Sequence, residues 1–241
     1  MNDRLFKRVC DLVYQHSGIH LKPGKEALVT ARLNKRMRVM GIAEMKEYIE
    51  YIEKSGDVEE LARMIDVITT NTTSFFREEA SLRAVFEVVE QWIKAGQRKI
   101  RIWSAAASTG EEPYTIAIII REMLSRLSME RSVEVKILAT DINMTVLNKA
   151  YEGIYMEEKL KNMPKILKTR YFDKVKRGGE LFYQVRPFLR DLIVYRQFNL
   201  LSDKYPLKGG IDVIFLRNVM IYFDTNTRDA IVRKMHALLR K

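Results

Sequence analysis

A chain of 241 residues with 47% apolar content can bury one large core, or a large and a small one, and this excludes a disordered or fibrous protein. The single cysteine, Cys10, excludes an internal disulfide framework and suits a reducing compartment. A net charge of +11 implies an anionic partner, whether nucleic acid, an acidic protein surface or a membrane face.

The opening stretch, MNDRLFKRVCDLVY, mixes charges with apolar residues at helical spacing. It is not a signal peptide, and no apolar run approaches the roughly 20 residues of a membrane span, so a cytoplasmic protein is expected. Residues 1 to about 70 read as helices alone. Lys25 to Met40 forms the second helix, with an apolar stripe of Val29, Leu33, Met37 and Met40. Arg32, Lys35 and Arg38 fall on the opposite face, with Arg36 at its edge. Two further helices, about 43–54 and 57–69, complete a small bundle.

Residues 69–78, TTNTTSFFRE, are polar until Phe75-Phe76-Arg77 and read as a linker with an apolar anchor, ahead of a helix at 79–95. Residues 100–120, IRIWSAAASTGEEPYTIAIII, then read as strand, tight loop and helix. Small residues from Ser104 to Thr109 let a ligand approach the backbone, Gly110 permits the turn, and Pro113 suits a first helical turn. Such a loop at the carboxyl end of a parallel strand is where open α/β sheets bind ligands. Two carboxylates here, Glu111 and Glu112, disfavour a pyrophosphate and suit a ligand that carries a cation.

A second buried strand, Val133 to Ala139, ends in Thr140-Asp141, where the acid is placed to accept hydrogen bonds from ribose hydroxyls. Residues 143–171 read as helices and a loop. Residues 172–198 suggest a small antiparallel insertion around the turn Arg177-Gly178-Gly179-Glu180. Ile211 to Leu216 reads as a buried strand ending in Arg217-Asn218, and Asp224 or Thr225 caps a last helix to about Leu239. Cys/His clusters, HExxH, GxSxG and a P-loop are all absent from the sequence, so no metal is expected.

Four segments in order, TNTTSFFRE, SAAASTGEEPY, ATDIN and FLRNVMIYFD, resemble those of the CheR family, the chemotaxis receptor methyltransferases that use S-adenosylmethionine. The resemblance implies an α/β fold: a Rossmann-like class I methyltransferase sheet with an all-helical N-terminal domain and a small antiparallel β insertion. It divides the chain into a docking domain at 1–70, a linker at 71–78 that contributes to the site, and a cofactor-binding domain at 79–241. Within the last, the insertion spans about 172–198 and the final strand pair of the family's sheet is missing.

The implied activity is methyl transfer to receptor glutamates, giving glutamyl methyl esters and S-adenosylhomocysteine. In this reading Asn71, Thr73, Arg77 and Ala105 belong to the cofactor site, Asn199-Leu200 flank the adenine, Arg217-Asn218 line the site, and Tyr222 lies near the reacting sulfur. Arg77 and Tyr222 are the expected catalytic pair. Glu112, with Glu111 second, is expected to hold the cofactor's α-ammonium, and Asp141 its ribose. Arg32, Lys35, Arg36 and Arg38 would dock on the cytoplasmic methylation helices of chemoreceptors, the alternative being a solvated helix face. Arg217 could equally be a salt-bridge partner and Tyr222 a half-buried core tyrosine. A monomer is expected, without nucleic acid or membrane insertion. The competing readings are a nucleic-acid methyltransferase and a non-catalytic cofactor-binding module.

Overall fold

The computed structural model describes residues 1–69 and 72–241. The chain folds into two compact units. One comprises Met1–Thr70, Asn199–Tyr205 and Asn218–Lys234; the other comprises Asn71–Phe198, Pro206–Arg217 and Met235–Lys241.

The first unit opens with helices α1 (Asp3–Ser17), α2 (Glu26–Met40), α3 (Met45–Ser55) and α4 (Val58–Ile68). Asn2 caps α1 by accepting the Leu5 N–H at 2.9 Å, and Asp57 caps α4 by accepting that of Glu60 at 2.9 Å. The apolar stripes meet in a core of Phe6, Val9, Val13, Val29, Leu33, Met37, Tyr48, Ile49, Ile52, Met64 and Ile68. Glu60 is buried in this unit. Its carboxylate takes a two-pronged contact from Arg36, with Nε to Oε1 at 2.7 Å, and the Tyr48 hydroxyl at 2.8 Å. Burial and this carboxylate push the Tyr48 hydroxyl's pKa up.

The second unit begins with α5 (Glu79–Lys94), β1 (Lys99–Ala105), α6 (Glu111–Arg126), β2 (Glu134–Asp141) and α7 (Met144–Glu152). It continues with β3 (Ile154–Met156), α8 (Lys165–Tyr171), β4 (Phe172–Arg177), β5 (Glu180–Val185), the short α9 (Pro187–Arg190), β6 (Ile193–Gln197) and β7 (Val213–Phe215). The last helix, α10 (Thr225–His236), stops three residues short of Leu239, which instead bridges to Ile211.

The main sheet is parallel throughout, in the order β6-β2-β1-β7. Strand order reverses at β1, so its carboxyl end is the topological switch point. Register puts Ala105 level with Thr140, and Ser104 level with Phe215, so the carboxyl ends of β1, β2 and β7 are aligned. Ile100, Ile102, Ile137 and Ala139 pack with Ile116, Ile120, Val89 and Ile93 in the core.

Three sequence expectations are corrected. The antiparallel insertion ends at Val185: Ile193–Gln197 is not part of it but pairs in parallel with β2. As an edge strand exposed on one face, with Ile193 buried and Val194 exposed, it carries the alternation of a hairpin strand. The insertion gains a third strand upstream, because Ile154–Met156 pairs antiparallel with β5 where helix or loop was expected. The predicted strand Ile211–Leu216 shrinks to Val213–Phe215, which among the described residues pairs with β1 at the edge of the sheet.

Candidate active site

The loop after β1 is built from backbone conformations that side chains rarely adopt. Ala106 and Ser108 have φ of +66° and +50°, and Gly110 has +93°. At Gly110 a Cβ would stand 2.8 Å from that of Ala150 and 2.9 Å from the Tyr155 hydroxyl. That hydroxyl donates to the Thr109 carbonyl at 2.7 Å, so glycine is required both for the turn and for the close approach.

Asp141, at the end of β2, fixes the same loop. One carboxylate oxygen accepts the Ser108 N–H at 2.8 Å and the other accepts that of Asn143 at 3.0 Å. Burial raises the Asp141 pKa, against the pull of these backbone donors. With a third backbone donor at Ile142, the carboxylate still has acceptor capacity to spare. Ala105, the last residue of β1, is fully buried beside it.

The two loop glutamates differ. Glu112 accepts the Ser104 hydroxyl at 2.8 Å and Arg217 Nη1 at 3.2 Å, and burial pushes its pKa up. Glu111 is fully buried: Oε2 accepts the Thr109 hydroxyl at 2.6 Å, while Oε1 lies 3.0 Å from Lys159 Nζ without hydrogen-bond alignment. Lys159 also donates to the carbonyl of Thr73, at 3.2 Å, and so ties the linker to the loop.

Arg217 follows β7 and gathers the linker. Besides Glu112, its guanidinium donates to the Arg77 carbonyl at 2.6 Å and to Glu78 at 3.1 Å. Arg77 itself is exposed, with Nη1 donating to the Thr72 carbonyl at 3.0 Å and Nε 3.7 Å from Glu78. The linker is held in place by Phe75, which is buried edge-to-face against Tyr155 and Phe172 at 5.0 and 5.6 Å. The Phe76 N–H donates to the Thr115 hydroxyl at 3.1 Å. Phe76 and Glu78 both have positive φ, 56° and 52°.

Of the residues expected at a site, then, the second unit brings Arg77, Glu112 and Arg217 into one hydrogen-bonded cluster, with Asp141 and Ala105 at the neighbouring strand ends and Thr73 tied to Lys159. Three partners in this cluster carry no role in the sequence reading: Glu78 and Ser104 sit at the ends of their motifs, and Lys159 lies outside every motif, with its partners Glu111 and Thr73 48 and 86 residues away. Asn71 lies outside the described residues. Asn199, Leu200, Asn218 and Tyr222 belong to the first unit. There Asn199 Nδ2 donates to the His16 carbonyl and Leu200 is buried, while Asn218 is exposed with φ of +60° and Tyr222 is half-buried.

On α2 the expected basic face divides. Lys35 and Arg38 are exposed. Arg36 turns inward to Glu60, and Arg32 Nη1 donates to the carbonyls of Ile68 and Thr69 at 2.5 and 3.1 Å. These two guanidiniums staple α2 to α4, because a helix end and a buried carboxylate both need donors. They are therefore corrected from a docking face to internal ties.

Among the described residues, no group of three or more His, Cys, Asp or Glu is placed to hold a metal, and no helix is long and apolar enough to cross a membrane.

The model for the CheR methyltransferase all-alpha domain matches residues 4–69, and that for the CheR methyltransferase SAM-binding domain matches residues 71–241. A chemotaxis protein methyltransferase of Borreliella burgdorferi is 38% identical over 239 residues, which span 97% of this chain and 83% of that protein. Chemotaxis protein methyltransferase 2 of Pseudomonas aeruginosa is 38% identical over 98% of this chain and 81% of its own length. The chemotaxis protein methyltransferase of Escherichia coli is 37% identical over 100% of this chain and 81% of its own length.

Proposed function

This chain belongs to the CheR methyltransferase family and binds S-adenosylmethionine, and on that premise we propose that it methylates glutamate side chains in the cytoplasmic part of chemoreceptors. The observation that carries this reading is the strand-end cluster of Glu112, Arg217, Glu78 and Arg77, beside a strained small-residue loop held by Asp141.

The residues fit the cofactor. Buried Glu111 keeps one oxygen without an aligned donor, and Glu112 is held in a dry setting that raises its pKa, so either can face an ammonium. Glu112 is the first assignment and Glu111 the second. Asp141 retains acceptor capacity for ribose hydroxyls. When bound, the cofactor supplies an electrophilic methyl on a sulfonium. The chain's residues align the acceptor in line with that methyl and exclude water.

A free glutamate has a pKa of about 4.3, so the acceptor is already anionic at neutral pH and no general base is required. Arg77, exposed at the linker, orients the acceptor carboxylate by a two-pronged contact. Tyr222 positions the reacting groups, with Asn71, Thr73, Asn199, Leu200 and Asn218 completing the cofactor contacts. Residues 1–70 form the docking domain, where exposed Lys35 and Arg38 meet acidic receptor helices. The chain acts in the cytoplasm as a monomer, without nucleic acid.

The test is methyl transfer from radiolabelled S-adenosylmethionine to receptor-containing membranes, followed by mild base. Label released as methanol supports a glutamyl ester. Base-stable label moves the substrate elsewhere, including to nucleic acid. Cofactor binding with no transfer to any receptor favours a non-catalytic module.

A further inference from the structure

Within the first unit, the segments that carry Asn199, Leu200 and Tyr222 are fastened to one place, the C-terminal end of α1, which no motif touches. Asn199 Nδ2 donates to the His16 carbonyl at 2.8 Å while its Oδ1 accepts the Leu201 N–H at 3.0 Å, so the amide ties its own segment to the end of α1. The His20 N–H donates to the Tyr222 carbonyl at 2.8 Å. The Tyr14 hydroxyl donates to Asp224 Oδ2 at 2.8 Å, and Asp224 Oδ1 accepts the Thr227 N–H at 3.0 Å as the cap of α10.

The fourth tie is steric. Gly18 ends α1 with φ of +67°, and a Cβ there would lie 2.8 Å from both methyls of Leu201. Gly41 and Gly56 end α2 and α3 with nearly the same φ, +70° and +64°, and a Cβ at either would meet nothing within 4 Å. Helix termination alone does not account for the contact at Gly18.

We propose that Tyr14 to His20 is a positioning element for methyl transfer, which sets the Asn199–Leu201 and Tyr222–Asp224 segments from within the helical domain. The proposal rests on the reading of those segments as cofactor-binding and reacting, and it makes the helical domain more than a docking surface. None of these α1 residues touches a reacting group; each acts through the segment it holds. A partner that shifts α1 then changes cofactor affinity, and linkage requires the cofactor to change partner affinity by the same factor.

The experiment measures S-adenosylhomocysteine binding to the full chain by calorimetry, with receptor methylation kinetics alongside. Gly18→Ala is expected to weaken binding about tenfold, the size of coupling usual for residues in direct contact. Gly56→Ala imposes the same left-handed strain without the Leu201 contact and should bind as the parent does. Adding Leu201→Ala to Gly18→Ala removes the clash but not the strain, and should recover most of the loss. Tyr14→Phe should lower kcat and leave KM for the cofactor unchanged.

Equal binding by Gly18→Ala and Gly56→Ala, or no recovery in the double variant, overturns the proposal. If Gly18→Ala does not fold by circular dichroism, Tyr14→Phe decides: an unchanged kcat overturns it and a lowered kcat with constant KM supports it. Leu200→Ala separates the premise from the proposal. Unaltered binding in that variant removes the cofactor assignment of the segment itself, whatever α1 does.

Discussion

Glu60 in the first unit and Glu112 in the second are both inward-facing carboxylates opposite an arginine, and they illustrate two uses of one pairing. Glu60 is closed: Arg36 grips both oxygens, Tyr48 adds a third donor, and the side chain is 1% exposed. Glu112 is open: it is 14% exposed, and Arg217 divides its donors among Glu112, Glu78 and the Arg77 carbonyl. A saturated pair has no capacity left for a ligand and serves the fold. A shared guanidinium beside a carboxyl whose pKa is raised by burial can exchange partners, which a binding site requires.

The largest test of this contrast is Glu60→Ala. It strands the Arg36 charge and should destabilise the chain by about 3–5 kcal/mol in denaturant unfolding, with S-adenosylhomocysteine affinity retained below the transition. Loss of affinity without loss of stability would reverse the roles. Arg77→Ala, on the open side, should cut methyl transfer by about 100-fold, a loss typical when an orienting contact is removed, at parental stability. Near-normal turnover would remove Arg77 from the chemistry.

A smaller effect, about tenfold in S-adenosylhomocysteine affinity, is expected from Glu112→Gln, in line with a charge-assisted hydrogen bond. Glu111→Gln run beside it decides between the two acids, because a loss confined to Glu111→Gln exchanges their assignments. In the parent, affinity should fall on acidification at a pH above the ordinary glutamate value of 4.5. The smallest expected change is for Lys35→Ala with Arg38→Ala. It should raise KM for receptor a few-fold, as exposed charges do, with cofactor binding untouched. An unchanged KM would leave α2 as a solvated face.

Acid titration separates the regions again, by sign. Asp224, in the first unit, is held down to about 2 by the Thr227 N–H and the Tyr14 hydroxyl, so its stabilisation is present above its ordinary 3.8 and is lost as pH falls toward 2. Glu112 and Asp141 have raised values, so the folded state keeps their protons longer than the unfolded chain does. Their contribution therefore improves as pH falls through that window. Melting curves of Asp224→Asn and Glu112→Gln should lie on opposite sides of the parent near neutral pH, the first below and the second above, and both should converge on it as pH falls.

The sequence was informative where chemistry is local. The loop from Ser104 to Glu112, with its glycine turn and paired acids, could be read because strand, turn and helix signals lie within one window. Phe75 and Phe76 were read as packing residues, and Phe75 is buried while Phe76 packs against the core from its edge. What could not be read depends on distant partners. Arg36 sits where helical periodicity puts a face edge, but only the fold supplies Glu60, 24 residues away. Arg217 meets Glu78 across 139 residues, a pairing no spacing rule reaches. β6 was misplaced because an edge strand of a parallel sheet alternates like a hairpin, and β3 was missed because three residues fall below any periodicity signal.

The interleaving of the two units has a consequence for biosynthesis. The first unit begins at residue 1 but recruits 199–205 and 218–234, while the second is mostly drawn from the stretch between. On a ribosome adding roughly 5–20 residues per second, the helices wait on the order of ten seconds or more for their last pieces. The first unit's apolar core, Phe6 to Ile68, is complete once those residues have emerged, so what arrives late is the pair of segments fastened to the end of α1. Exchange of the helical stretch between relatives at the linker would carry its core intact, but the ties from the end of α1 to 199–201 and 222–224 would have to be matched in the recipient.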